Sequence, residues 1–429
     1  MSASVHQTES LLFTILLQLI IMIAAARVMN TAFRRLHQPG VIGEILAGLM
    51  LGPSLVGHFF PEFSQTLFGA QASPTITIIS QVGLILLMFQ IGADFNFRHL
   101  RTRRNAQGVI GVTLASVGVP LFLGIMLGRL SAPLLAPGID PTTYSLFCGV
   151  GLAITALPIL GRILRQYDLT RTEIGVVAIS AAALNDVIGW VLLAGISAYA
   201  AAQFSGAQMA LQIGGLLLFV LVLVFMLRPF AHWLVHRFPL DAGDTGGLAP
   251  NLLAIVLCLV FALGMCTYQL GIFAIFGGFA AGLLFHPYEA FVAAWHRQVG
   301  RFVMVFFLPV FFTYTGLRTN VLGLTTLVDL QWLAAFLAAS ILGKIIPVYC
   351  AARLTGFAHH EATILGSLMN TRALMELIVL NIGYDLGFIP QKVFTMLVIM
   401  AVVTTIMTGP LLKRLLPKIG HAVPQGIEA

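Results

Sequence analysis

Charged residues are scarce in this sequence: Asp, Glu, Lys and Arg together account for 9% of its 429 residues. A soluble globular domain carries about 25%, so the composition excludes a soluble enzyme or binding module. Hydrophobic residues make up 59% of the chain, and the mean hydropathy is +0.96. The composition therefore predicts a polytopic membrane protein.

Cysteine is also scarce. Neither the spacing nor the surroundings of the four cysteines suggests a disulfide framework or a metal site, and we interpret them as packing residues. The N-terminus lacks a basic region and a cleavage site, so we expect Leu11–Thr31 to be a retained membrane span. No stretch resembles a soluble regulatory domain, and we expect a single membrane domain. The cysteines are Cys148, Cys258, Cys266 and Cys350.

Thirteen apolar segments follow one another along the chain, mostly with short connections. A membrane-spanning helix needs about 20 mainly apolar residues, and the segments lie near this length. We therefore predict an all-α polytopic fold with 13 transmembrane helices. The segments are residues 10–31, 40–58, 75–93, 107–130, 142–165, 172–203, 208–229, 248–268, 270–286, 300–318, 329–353, 360–383 and 391–412.

Of the 23 Lys and Arg residues, Arg27, Lys344 and Arg372 lie within segments, and the others are divided unevenly between the two sets of loops. Only Arg129, Arg318 and Lys392 follow even-numbered segments. Because basic loops stay in the cytoplasm, we expect the N-terminus outside and the C-terminus inside. The net charge of +7 thus reports topology, and we expect no nucleic-acid partner. The residues on the basic side are Arg34, Arg35, Arg98, Arg101, Arg103, Arg104, Arg162, Arg165, Arg171, Arg228, Arg237, Arg297, Arg301, Arg353, Lys413, Arg414 and Lys418.

The segments repeat with an offset of seven. Segment 2 carries Gly48 and Gly52 in a Gly-x-x-x-Gly pattern followed by a proline, and segment 9 carries Gly278 and Gly282 in the same pattern. Since seven is odd, the second copy crosses the membrane in the opposite direction. Inverted repeats are typical of secondary transporters, which bind their substrate where the halves meet near the bilayer midplane.

Segments 5 and 12, which correspond in this repeat, both carry signals for an interrupted helix. Pro158 removes a backbone donor and disfavours helix just before it, so we place the first break at Thr155–Leu157, around Ala156. The polar residues Asn370 and Thr371 interrupt segment 12. Irregular backbone at membrane depth persists only where it lines a cavity or is buried in protein. We predict two discontinuous helices that cross near the midplane; for segment 5 alone, a proline kink is the alternative.

A carboxylate, Asp186, lies midway along segment 6. Placing a charge at the bilayer centre costs about 2.5–3.5 kcal/mol on insertion scales. Two further charges, Lys344 and Arg372, are expected at similar depth. One interpretation of Asp186 is a structural polar residue that hydrogen-bonds a neighbouring helix. We favour the other, a site that exchanges a proton for a metal cation, because of the cationic neighbours.

Four stretches resemble the monovalent cation:proton antiporter-2 family, in that family's order: Val41–Ser54, Thr155–Leu164, Asn185–Asp186 and Met369–Gly383. The last resembles the plant cation/proton exchanger branch in particular. The resemblance covers nearly the whole chain and implies the sodium/proton antiporter fold, a homodimer in which a core domain slides along a scaffold like an elevator. By resemblance, the core covers approximately residues 107–203 and 329–414, the scaffold 10–93 and 248–318, and the linker helix 208–229.

The resemblance also implies roles for single residues. Asp186 matches the carboxylate that binds either the cation or the proton. Asn185 matches the position before it, which is aspartate in electrogenic members and asparagine in many electroneutral ones. Lys344 matches the lysine that faces this pair. The combination of Asn185 with Lys344 mixes the electroneutral and the electrogenic pattern, so electroneutral exchange is favoured and electrogenic exchange stays open. Arg372 and Glu376 match a charged pair on the interrupted helix, for which we favour a structural ion pair.

An antiporter needs one site that holds a proton or a cation, but not both together. Burial disfavours the charged form of a carboxyl group, so protons and cations compete for Asp186. Na⁺ and K⁺ are hard ions that prefer oxygen ligands, as hard divalent ions do. We expect these ligands from Asp186, Asn185 and Thr155. Lys344 is either a fixed countercharge, which we favour, or a carrier of the exchanged proton.

Other functions fit parts of the pattern. A sodium-coupled solute symporter or a cation channel of related inverted-repeat build is the alternative, although neither a wide polar cavity nor a continuous polar stripe is evident. Tyr384-Asp385 resembles half of an intramembrane aspartyl protease site, but the usual Gly-x-Gly-Asp partner is missing, so no enzyme is expected. We expect no cofactor beyond transported H⁺ and K⁺ or Na⁺, with K⁺ slightly favoured, and a location in the cell inner (plasma) membrane.

Overall fold

The computed structural model describes residues 2–36, 38–69, 74–94, 103–170, 172–201, 206–238, 247–270 and 273–422, in which helices form and no strand does. Arg98, Arg101 and Arg171, assigned above to basic loops, lie outside the described residues. The all-α fold class is confirmed. The α-helices are α1 (Ser2–Arg35), α2 (Gly40–Leu51), α3 (Val56–Phe59), α4 (Pro61–Phe68), α5 (Pro74–Ala93), α6 (Arg103–Leu135), α7 (Pro141–Ala153), α8 (Leu157–Gln166), α9 (Glu173–Ala201), α10 (Gly206–Val222), α11 (Arg228–Arg237), α12 (Pro250–Gln269), α13 (Ala274–Phe285), α14 (Glu289–Trp295), α15 (Leu308–Arg318), α16 (Leu327–Leu354), α17 (His359–Met369), α18 (Leu374–Asp385) and α19 (Gln391–Leu415).

Twelve helical stretches within the described ranges are long and apolar enough to cross a membrane. They correspond to twelve of the thirteen predicted segments. The ninth segment corresponds to α13, an apolar helix of 12 residues, which is shorter than the roughly 20 residues of a usual span. The helix ends two residues before Pro287, which lacks the amide hydrogen needed to continue it.

The two interrupted spans lie deepest inside the protein. Residues 141–166 contain α7 and α8, and residues 359–385 contain α17 and α18. The apolar windows of these spans are 72% and 94% buried, more than those of the other described spans. Irregular backbone at this depth is therefore surrounded by protein, as a membrane interior requires.

Capping residues fix the start of two helices that carry the site. Asp140 precedes α7 and accepts a hydrogen bond from the Thr143 amide at 2.8 Å, and this bond holds the pKa of Asp140 below its ordinary value. Pro141, the first residue of α7, needs no amide partner. At the start of α16, Thr326 and Asp329 form a capping box with hydrogen bonds of 3.1 and 3.3 Å.

Close helix contacts at glycine recur in the two halves of the repeat. A β-carbon at Gly48 of α2 would overlap the backbone of α15 at Phe312. Likewise, a β-carbon at Gly282 of α13 would overlap the backbone of α5 at Phe89. The Gly-x-x-x-Gly helix of segment 2 therefore packs backbone to backbone against segment 10, and that of segment 9 packs in the same way against segment 3. This correspondence matches the predicted offset of seven.

Contacts divide the chain into two compact units. The first consists of Met1–Ser73, Phe97–Leu193 and Phe312–Ala429. The second consists of Pro74–Asn96 and Ala194–Phe311. Every predicted site residue belongs to the first unit. The division into an elevator core and a scaffold stays a prediction.

Candidate cation and proton site

The first interruption covers residues 154–156, because α7 ends at Ala153 and α8 begins at Leu157. Pro158 is the second residue of α8, a position where a missing amide hydrogen costs no helical hydrogen bond. Leu157 and Pro158, which we predicted to be part of the break, therefore form the first turn of α8. Ala156 lies inside the break.

The second interruption covers residues 370–373, between α17 and α18. Asn370 and Thr371 lie inside it. The backbone of Ala373 has a φ of +75°, a left-handed conformation that costs a non-glycine residue about 1–3 kcal/mol. The sequence gives no warning of this strain, because an alanine there is otherwise compatible with helix.

Hydrogen bonds join the two interruptions directly. The Ala156 amide donates to the Thr371 carbonyl oxygen at 3.0 Å, and Thr155 Oγ1 donates to the Met369 carbonyl oxygen at 3.2 Å. All four residues are fully buried. The interruptions therefore cross, and the first supplies donors for carbonyl groups that the second helix leaves without intrahelical partners.

Asp186 lies on α9 and is only 2% exposed. Neither of its carboxylate oxygens has a partner in hydrogen-bonding geometry in the part of the chain that the structure describes. The Leu157 amide, at the first residue of α8, faces this carboxylate, and a helix N-terminus carries partial positive charge. A buried carboxylate without donors is costly as a bare anion, so it favours a proton or a bound cation.

Asn185, the neighbour of Asp186, holds the first interruption in place. Its Oδ1 accepts a hydrogen bond from the Thr155 amide at 3.0 Å. Its Nδ2 donates to the Ala153 carbonyl oxygen and to Ser116 Oγ, both at 3.2 Å. Asn185 thus spans the end of α7 and the irregular backbone after it. Ser116 on α6 was not identified by the sequence analysis, since a lone serine in an apolar helix carries no distinguishing signal.

Lys344 is fully buried on α16 and binds the C-terminal end of α7. Its Nζ donates to the carbonyl oxygens of Ala153 at 2.5 Å and Ile154 at 3.0 Å. A helix C-terminus carries partial negative charge, which favours a cation at this position. Lys344 also attracts Asp186 electrostatically. Its hydrogen bonds, however, go to backbone rather than to the carboxylate.

Arg372 adds a second cation at the same helix end. Its Nη1 donates to the Gly151 carbonyl oxygen at 3.0 Å and lies 3.8 Å from Glu376 Oε2. Both side chains are fully buried. Glu376 lies in the first turn of α18, where the helix dipole stabilises a negative charge. The geometry is that of a buried ion pair tied to the end of α7.

Threonines of α19, which were not among the predicted site residues, hold the second interruption. The Arg372 amide donates to Thr405 Oγ1 at 3.2 Å, and Thr371 Oγ1 donates to Thr408 Oγ1 at 3.4 Å. The sequence signal is a group of threonines at positions 404, 405 and 408 within an otherwise apolar helix. Such a group lies on one helix face.

The crossing offers oxygen atoms without donors. Besides the two oxygens of Asp186, the buried Oδ1 of Asn370 and both oxygens of Glu376 have no hydrogen-bond partner in the described ranges, and Glu376 is paired with Arg372 at 3.8 Å. No group of three or more His, Cys, Asp or Glu residues suited to a metal ion occurs in those ranges. Because Glu376 pairs with Arg372, Asp186 is the carboxylate at the crossing that is available to a hard cation of one charge, which prefers oxygen ligands. The arrangement can therefore hold either a monovalent cation or a proton.

Residues 19–418 match the protein family described as sodium/hydrogen exchanger, transmembrane. The chain belongs to the sodium/hydrogen exchanger family. This finding confirms the resemblance to cation:proton antiporters inferred from the four motifs, and it identifies the chain as a multi-pass membrane protein of a transporter family.

Relatives match over most of the length of this chain. The Na⁺/H⁺ antiporter NhaS4 of Synechocystis sp. is 36% identical over 417 residues, 96% of this chain and 99% of the relative. Cation/H⁺ antiporter 18 of Arabidopsis thaliana is 33% identical over 395 residues, 92% of this chain and 48% of the relative. The chain thus spans about half the length of the plant relative.

A solved structure shares the fold. The sodium proton antiporter MjNhaP1 from Methanocaldococcus jannaschii superposes with a TM-score of 0.64 at 14% identity, covering 94% of this chain and 97% of that one. At this identity the likeness concerns the fold alone. The predicted sodium/proton antiporter fold is confirmed.

Proposed function

We propose that this chain exchanges a monovalent cation, K⁺ or Na⁺, for H⁺ at Asp186 by alternating access. The observation that carries the proposal is the buried Asp186 carboxylate at the crossing, whose two oxygens have no donors among the described residues. Relatives named as Na⁺/H⁺ and cation/H⁺ antiporters support the same activity. Exchange is obligatory because the proton and the cation use the same carboxylate in turn.

Occupation of Asp186 decides whether the site can cross the membrane. A bare carboxylate is expensive to carry past an apolar barrier, whereas the protonated and the cation-bound forms are neutral. The loaded forms therefore move, and the empty form stalls. In the cation-bound form, we propose that Thr155 and Asn185 contribute further oxygen ligands and that water completes the shell.

Lys344 acts as a fixed countercharge in this proposal. Its hydrogen bonds to the Ala153 and Ile154 carbonyls are stronger when Lys344 is a charged ammonium than when it is a neutral amine, which favours the charged form. If Lys344 keeps its proton throughout the cycle, one cation replaces one proton on Asp186. The exchange is then electroneutral.

The proposed arrangement in the membrane follows from the loops. With the short helix α13 counted as a thirteenth crossing, the basic loops on one side favour an N-terminus outside and a C-terminus in the cytoplasm, with the protein in the cell inner membrane. We propose a homodimer whose scaffold includes α1, as the resemblance to the family implies. The core containing the crossing moves against this scaffold as an elevator.

Reconstituted protein tests the activity. Proteoliposomes with a preset pH gradient receive Li⁺, Na⁺, K⁺ or Rb⁺, and a pH-sensitive dye reports proton movement. We expect Na⁺ or K⁺ alone to collapse the gradient, and Asp186→Asn to abolish the collapse because the amide cannot exchange a proton. Imposed voltages, set with an ionophore, should leave the rate of an electroneutral exchanger unchanged.

Asp140→Asn is the matched control. Asp140 caps α7 at its far end, and asparagine caps a helix as well as aspartate does. This variant should exchange like the unmodified protein. Normal exchange by Asp186→Asn would refute the site, and solute uptake or cation flux without proton movement would refute antiport.

A further inference from the structure

A polar cluster joins the C-terminal ends of α15 and α18 within the first compact unit. Arg318 Nη1 lies 2.5 Å from Asp385 Oδ1, and its guanidinium lies 3.9 Å from the centre of the Tyr314 ring. The Tyr314 hydroxyl donates to Asp385 Oδ2 at 3.3 Å. We call Tyr314, Arg318, Asn381 and Asp385 the α15–α18 clasp.

Asn381 extends the clasp into the protein interior. Its Nδ2 donates to Thr315 Oγ1 at 2.8 Å, and its Oδ1 accepts from Arg318 Nη1 at 3.4 Å. Asn381 is 4% exposed, and the side chains of Arg318 and Asp385 are 18% and 37% exposed. An ion pair that is partly shielded from water and stacked on an aromatic ring is stronger than a solvated one.

The clasp lies at one end of a rigid element whose other end belongs to the site. α18 runs without interruption from Leu374 to Asp385, a length of roughly 18 Å. Its first turn holds Glu376, the partner of Arg372 at the crossing. A displacement of the crossing relative to α15 would therefore pull on the clasp.

We propose that the α15–α18 clasp fastens the core to the scaffold in one orientation and has to open in every transport cycle. The inference rests on the proposed function, in which α15 belongs to the scaffold and α18 to the moving core. The clasp side chains do not touch the cation. They are positioning residues that set how much of the protein occupies the clasped orientation.

A second ion pair supplies a matched control. Lys392 Nζ lies 3.0 Å from Asp329 Oδ2 and joins α19 to the start of α16. Both helices belong to the proposed core, so this pair stays closed while the core moves. Both pairs join two helices by a lysine or arginine and an aspartate, but only the clasp connects parts that separate in the proposed cycle.

Reversible cross-linking tests the clasp. The four native cysteines are first replaced by alanine. Two double variants are then made, the clasp pair Arg318→Cys with Asp385→Cys and the control pair Asp329→Cys with Lys392→Cys. Each is treated with a bifunctional methanethiosulfonate about as long as an arginine side chain. Mass spectrometry measures the linked fraction. We expect linkage across the clasp to stop nearly all exchange and reduction to restore it, whereas the linked control pair continues to exchange.

Undiminished exchange by the linked clasp pair would overturn the inference. Single-cysteine variants treated with the same reagent show any effect of modification alone. The cysteine-free parent is assayed first, and if it does not exchange cations for protons, the proposed function fails instead. The two failures are thus separable.

Kinetics supply a second readout. Asp385→Asn weakens the clasped orientation, so the KM values for the cation measured from the two sides of the membrane should shift in opposite directions. Arg318→Asp combined with Asp385→Arg restores the ion pair and should return the ratio of the two KM values towards that of the unmodified protein. A merely structural clasp would lower activity without changing this ratio.

Discussion

The two interrupted helices use the same backbone device but are held by different chemistry. At the end of α7, the carbonyl groups accept hydrogen bonds from two buried cations, Lys344 and Arg372. At the end of α17, the Met369 carbonyl oxygen accepts a hydrogen bond from the neutral hydroxyl of Thr155. The Thr371 carbonyl oxygen, in the break after α17, accepts one from the Ala156 amide. Positive charge is therefore concentrated at the end of α7.

This difference separates the chemical part of the site from its mechanical part. The α7–α8 break faces Asp186 and carries the positive charges that offset it. The α17–α18 break leads through α18 to the clasp and is held by threonine hydroxyls. Changes at the first break should affect exchange strongly, and changes at the second should affect mainly stability.

Lys344→Ala should have the largest effect. The Ile154 carbonyl loses its hydrogen bond from Lys344, and the Ala153 carbonyl keeps only the one from Asn185. We therefore expect the free energy of unfolding to fall by about 2–4 kcal/mol and exchange to be lost with the countercharge. Thermal melting in detergent and the proteoliposome assay measure both quantities. If this variant is no more damaging than changes at the second break, the comparison fails.

Lys344→Arg sharpens the same point. Arginine stays charged throughout the cycle, so a fixed countercharge permits exchange at a reduced rate with an unchanged pH profile. If Lys344 instead carries the exchanged proton, the variant should not exchange at all, because arginine does not release its proton. Rates measured across pH distinguish the two.

Asn185→Asp should be the next most damaging. The substitution replaces the amide nitrogen that donates to the Ala153 carbonyl oxygen by a carboxylate oxygen. An ionised aspartate can only accept hydrogen bonds, so two acceptors then face each other. We expect a loss of about 1–3 kcal/mol in stability, and exchange that recovers only at low pH, where the new carboxyl group is protonated and donates again. An electrogenic exchanger of unchanged stability would contradict this hydrogen-bond role.

Thr405→Val should be milder. It removes the acceptor of the Arg372 amide at the second break while keeping the side-chain shape. We expect about 1–2 kcal/mol of destabilisation with the KM for the cation unchanged. Thr363→Val, at an exposed hydroxyl near the start of α17, is the control. A large change in KM would show that the second break also takes part in binding.

Ala373→Gly should have the smallest effect and the opposite sign. Glycine adopts the positive φ of this position without strain. Relief of that strain, partly offset by greater freedom of the unfolded chain, should raise the free energy of unfolding by about 0.5–1 kcal/mol. A lower melting temperature in detergent would argue against strain at the second break.

Some features were predictable because their signals are local. Pro158 and the polar pair Asn370-Thr371 marked both breaks, since each disturbs helix in its own neighbourhood. The exact bounds differed: Pro158 lies in the first turn of α8 rather than in the break, because a first-turn proline costs no helical hydrogen bond. Thr405 was missed because a threonine in an apolar helix usually bonds its own backbone.

The sequence by itself determined that this chain spans a membrane, where its segments lie, that they repeat, and that three charges lie buried among them. Hydropathy and proline act over a few residues and are readable without a fold. Only the tertiary structure decided which groups meet. Lys344 binds carbonyls 190 and 191 residues away, and the Arg318–Asp385 pair likewise joins separate helices. These pairings depend on helix packing, which no local pattern encodes.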